Sequence, residues 1–131
     1  MAPEEFMRTI YLGDRACKAI IMDGWRHELR IQIDCISRVR TEQWDYYTDE
    51  DLPDGYLVFE KVESMVFEPA GHIPNDWIAL VSVKSADESG LMRFVFSVGA
   101  TDKHGEAVEV LITIVANAIA LEDRNGTRIR D

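Results

Sequence analysis

Between Arg40 and Lys61 the chain contains no lysine or arginine. Residues 41–60 carry seven carboxylates, and the whole chain has a formal net charge of −10. A field of this sign repels phosphate backbones and anionic membrane surfaces, which argues against nucleic-acid and membrane partners. Histidine is scarce as well. His27, His72 and His104 stand far apart, with no H-x-x-x-H and no C-x-x-C spacing, so no local motif builds a zinc centre. The sequence has no G-x-G-x-x-G, no P-loop and no G-x-S-x-G. A motif-borne phosphate cradle or nucleophile elbow is therefore absent, and nothing implies a cofactor. Long apolar runs are missing too. The most apolar segment, Ala107 to Leu121, is interrupted by Glu109, Thr113 and Asn117, short of the roughly 20 residues a membrane helix needs. Met1 to Arg8 has neither the basic nor the apolar region of a secretory signal. With only two cysteines, that points to reduced thiols and a cytoplasmic location.

What is present fits one domain. At 131 residues, 47% of them hydrophobic and 29% charged, the chain is long enough to bury a core without a disulfide or metal. Pro3 to Ile10 has the makings of a short helix, with Pro3 at the start, Glu4 and Glu5 at its positive end, and Phe6, Met7 and Ile10 on one side. Cys17–Met22 and His27–Ile36 form a predicted hairpin around Asp23-Gly24, where Leu29, Ile31, Ile33 and Cys35 alternate with Arg30, Gln32 and Asp34. A loop of two residues sets Cys17 against Arg30, and one of three sets it against Ile31. Neither places it against Cys35, which argues against a disulfide within the hairpin.

Further strands are expected over Tyr56–Val62, Met65–Glu68, Trp77–Lys84 and Leu91–Gly99. The first two are either separate or one bulged strand. Glu106–Leu121 is the longest candidate, with apolar residues on both faces, as in a central strand packed on both sides. A helix from Ile112 competes for the same residues, favoured by Ala116, Ala118 and Ala120 but opposed by the β-branched run at Ile112–Val115. Thr127–Arg130 reads as a short edge strand. The sum is a mainly β domain: an antiparallel β-sandwich or partly open barrel of seven to eight strands with a short N-terminal helix.

The acidic stretch is the candidate site. Trp44, Asp45, Tyr46, Tyr47, Asp49, Glu50, Asp51 and Asp54 combine aromatic contact area with carboxylates that steer and accept arginine or lysine. The alternative is that the aromatics anchor the segment on the sheet. An EF-hand is excluded, because Asp49, Asp51 and Glu60 fit its spacing but Pro53 and the late Gly55 do not. An irregular calcium site on Asp49, Asp51 and Asp54 remains as a lesser reading. No Cys–His pair is expected, since His27 faces Ile20 or Ile21 in the hairpin. The expected function is a non-enzymatic module that docks a basic protein partner. A second expectation is a small-ligand binder whose barrel interior is lined by Trp77, Met92, Phe94 and Phe96. The bland reading is that those side chains fill the core.

Several strings resemble a family of small bacterial proteins of unassigned function. They are Tyr11-Leu12-Gly13-Asp14-Arg15 with Cys17-Lys18, Asp34-x-Ile36-Ser37-Arg38, Trp44, Phe59-Glu60-x-Val62, Phe67-x-Pro69 and Pro74-Asn75-Asp76, spread over residues 11–80. The resemblance implies a single-domain bacterial protein and no activity. In size, acidity and strand content the chain is also loosely similar to immunity proteins of bacterial toxin systems.

Overall fold

The computed structural model describes residues 1–40 and 50–131. Most of the described chain is antiparallel strand. Helix α1 spans Pro3–Arg8, and the strands are β1 Ile10–Tyr11, β2 Cys17–Asp23, β3 Glu28–Ile33, β4 Cys35–Arg38, β5 Leu52–Pro53, β6 Tyr56–Glu68, β7 Ile78–Ser85, β8 Met92–Thr101, β9 Ala107–Glu122 and β10 Arg128–Ile129. Three strands form a small sheet in the order β1-β4-β5. The other seven form a large sheet, β2-β3-β6-β9-β8-β7, with β10 pairing the end of β9.

The large sheet curls until its two edges touch. Ala16 bridges Trp77, and the Cys17 N–H donates to the Asp76 carbonyl at 2.8 Å. Beyond that point β2 and β7 are unpaired with each other among the described residues, so the barrel is partly open, one of the two expected architectures. The interior is filled by side chains. Phe59, Phe94 and Phe96 are fully buried, with Phe59 edge-to-face on both neighbours at 5.1 and 5.8 Å. Each such ring contributes about 2–3 kcal/mol by leaving water, and the ring pairs about 0.5–1.5 more. Phe6 and Met7 of α1 join this core. No helix among the described residues is long and apolar enough to cross a membrane.

Several expectations change in detail. The hairpin loop holds four residues, since Asp23 pairs with Glu28, and a bulge at Lys18 sets Cys17 opposite Ile33. His27 therefore lies in the loop, not across from Ile20 or Ile21. The predicted strand to Ile36 breaks at Asp34, whose carboxylate caps the N–H groups of Ala16 and Cys35 at 2.9 Å. Cys35 and Ile36 thus belong to the small sheet. Tyr56–Glu68 is one strand with a bulge between Val62 and Ser64. Residues 107–122 are strand, so the β-branched run prevails over the alanines.

The double-faced apolar pattern of β9 has a different cause from a covering layer. Ile112, Ile114 and Ala116 point into the core, and so do Ile119 and Leu121. The inward face switches parity around Asn117, opposite the kink in β6 where Lys61 adopts φ +51. Both strands turn there together, and one core receives what reads as two faces. Leu111 and Val115, on the outward side, remain half-buried.

Candidate functional site

The acidic stretch enters from β4 and leaves through β5. Trp44, Asp45, Tyr46, Tyr47 and Asp49 lie outside the described residues; Glu50, Asp51 and Asp54 lie within them. Its entry is built on arginine. Arg38 is buried, with its guanidinium 5.5 Å from the centre of the Phe6 ring, and it donates to Thr9 Oγ1 and to the Asp131 carbonyl, both at 3.0 Å. Two residues on, Arg40 grips Glu50 with two hydrogen bonds, Nε to Oε2 at 3.0 Å and Nη2 to Oε1 at 2.8 Å. Arg40 Nη2 also donates to the Asp131 carbonyl at 3.1 Å. A bidentate pair of this kind has a fixed geometry. It brings Arg40 and Glu50, ten residues apart in sequence, to one place. The Arg40 guanidinium holds the Glu50 carboxyl below the usual carboxylate range.

The exit is fixed as firmly. Leu52 pairs with Ile36 and Pro53 with Cys35. Asp54 then turns the chain into β6 with φ +55, a left-handed conformation that aspartate tolerates better than most residues. Its carboxylate accepts from Lys18 Nζ at 2.7 Å, and its carbonyl accepts from Gln32 Nε2 at 3.2 Å. The hydrogen bond from Lys18 also lowers the Asp54 carboxyl pKa. Asp51 is half-buried. The structure thus places Glu50 and Asp54 at the exit of the stretch, Glu50 paired back to Arg40 at its entry and Asp54 to Lys18, each still partly open to water.

The last acid of the stretch, Glu60, belongs to a cluster that sequence reasoning missed. On the outward face of β3, β6, β9 and β10, Arg128 reaches Glu28 at 3.0 Å, Glu60 at 2.9 Å and Glu122 at 2.7 Å. Arg30 adds Glu122 at 3.5 Å, and Arg130 also bonds Glu60. Nothing in the spacing of these six residues announces the cluster. Only the strand order β3-β6-β9-β10 assembles it.

Other candidate chemistry is placed as follows. Both cysteines are free thiols, and burial pushes the Cys17 thiol up to about 11, which leaves it protonated and unreactive near neutral pH. Among the described residues no cluster of three or more His, Cys, Asp or Glu has the arrangement of a metal site. Of the calcium candidates, Asp54 is engaged by Lys18 and Asp49 is outside the described residues. Phe94 and Phe96 are spent on core packing against Phe59, whereas Trp77 lies outward, 40% exposed, over Gly99.

Fold and site together define a small antiparallel β-barrel protein, open along one seam, whose acidic stretch is clamped at its flanks by ion pairs. The chain matches over residues 1–131 the model described as "Family of unknown function (DUF6258)" and belongs to that family. No curated protein and no solved structure matches it significantly.

Proposed function

We propose that the protein is a non-enzymatic, cytoplasmic binding module that docks a basic protein surface through residues 44–54. The observation that carries this reading is the Arg40–Glu50 clamp. Between the two clamped residues the sequence sets Glu42, Asp45 and Asp49 beside Trp44, Tyr46 and Tyr47, with no base among them. A fixed base lowers the entropy lost when such a segment orders against a partner. Arg40–Glu50 and Lys18–Asp54 hold the frame, and the residues between Arg40 and Glu50 make the contact. Carboxylates speed the encounter with a basic partner, and the aromatics supply the buried area. An immunity-like role, in which a small acidic protein masks a basic toxin of a bacterial host, is the form this function would take.

The test starts with affinity capture from the native host and identification of what co-purifies. Affinity is then measured between purified components. The D45N/D49N and W44A variants are expected to weaken a basic partner at least tenfold, with the acidic variant losing its salt dependence. E63Q, an exposed acid outside the stretch, serves as control. A partner held equally by all forms at low and high salt sinks the reading.

A further inference from the structure

Among the described residues one edge of the large sheet is left open. β2 pairs with β3 along one side. On its other side the described residues contribute only Asp76 and Trp77, against Ala16 and Cys17 at the very start of the strand. Edge strands are usually guarded by a charge, a proline or a bulge. β2 has its lysine and its bulge together at Lys18 and nothing of the kind from Ala19 to Met22. That run is Ala-Ile-Ile-Met, with Ile21 42% and Met22 54% exposed.

A groove of about 370 Å³ lies against this strand. Ile20 and Met22 form one wall, and Phe67 and the loop through Ile73 form the other. Ile73 is 82% exposed at the rim. Among the described residues no carboxylate lines the groove, and the ionisable groups that do are Lys18 and His72. Lys18 spends one bond on Asp54, which leaves two of its three donors.

We propose that this groove receives an extended peptide segment of another protein, added as a further strand beside β2. The segment carries apolar side chains at alternate positions and a carboxylate at one end. The backbone groups of Ala19–Met22 that face away from β3, unpaired among the described residues, supply main-chain hydrogen bonds, and the groove takes every second side chain, about 6.6 Å apart. Lys18 and His72 favour an acidic end over a basic one. This site meets the acidic stretch only at the Lys18–Asp54 pair and would survive the failure of that reading.

A random heptapeptide library panned on the whole protein tests the idea. Enriched peptides should show apolar residues two apart with Asp or Glu at one end. Synthetic versions should lose at least about tenfold in affinity for I73D, whose site is too exposed to affect folding. N-methylation of alternate peptide amides should abolish binding in one phase and spare it in the other, because only one edge of an added strand faces β2. No enrichment, enrichment without alternation, or affinity indifferent to both I73D and N-methylation overturns the proposal. So does a concentration-dependent dimer in sedimentation that M22K abolishes, which would give the edge to a second copy of this chain.

Discussion

Arg128 holds one guanidinium among three carboxylates, on a side chain only 22% exposed. Removing it leaves Glu28, Glu60 and Glu122 close together and shielded from water, with Glu122 only 8% exposed. R128A is therefore expected to cost about 3 kcal/mol, read as a lower denaturant midpoint, because the three shielded carboxylates lose the one base they share and keep only Arg30 and Arg130. R128K should recover part of this and not all, since an ammonium lacks the planar fork. The same cluster sets a pH response. Hydrogen bonds from Arg130 and Arg128 lower the Glu60 pKa from its ordinary 4.5. The folded state thus binds fewer protons there than the unfolded chain. This stabilisation is complete above 4.5 and is lost as pH falls through the depressed folded value. Thermal unfolding followed downward from neutral pH should show that loss, and E60Q should flatten it. A second residue-scale expectation concerns Lys61, held at φ +51, where a side chain is strained. K61G should be neutral or stabilising by up to about 1 kcal/mol, while K61A gains nothing.

Among the elements, the weak point is the seam where β2 meets β7. A Cβ on Gly99 would lie 2.5 Å from Trp77 Nε1 and 2.8 Å from Cδ1. The indole therefore needs a glycine beneath it, and the Gly99 N–H donates to the Trp77 carbonyl at 2.8 Å. Trp77 in turn bridges Ala16. G99A is expected to push the indole outward and open the seam, with a red-shifted tryptophan emission and a loss of about 1–2 kcal/mol. Amide exchange at Cys17, whose N–H closes the seam, should quicken in the same variant.

The elements also show what was legible. Period-two runs marked β3 and β8, β-branched content marked β7 and a two-faced apolar run marked β9, although the expected strand to Ile36 overran β3. The helix was marked by Pro3 and its acids. What could not be read was geometry that depends on two strands at once. The parity switch at Lys61 and Asn117 involves β6 and β9 together, and the register of β2 on β3 sets both the four-residue loop at Gly24–His27 and, through the bulge at Lys18, the partner of Cys17. For the site, composition marked the acidic stretch. It did not show that Glu50 meets Arg40 or that Asp54 meets Lys18, since those partners lie 10 and 36 residues away.

For the molecule as a whole, charge acts in two opposing ways. Short ion pairs neutralise Glu28, Glu50, Asp54, Glu60 and Glu122 against this chain's own bases. The net charge stays at −10, so the remaining acids repel one another over longer distances in the folded state. Added salt screens separations beyond a Debye length, about 10 Å at 0.1 M, and affects contacts of 3 Å on partly buried groups much less. Raising NaCl from about 0.05 to 0.5 M should therefore increase the melting temperature, because repulsion is screened more than the pairs are. The same change should weaken association with a basic partner, because that attraction works across solvent. Opposite signs from one titration separate the two roles of the charge. If stability falls with salt, the ion pairs outweigh the long-range repulsion; if binding does not weaken with salt, the acidic stretch is not the docking surface.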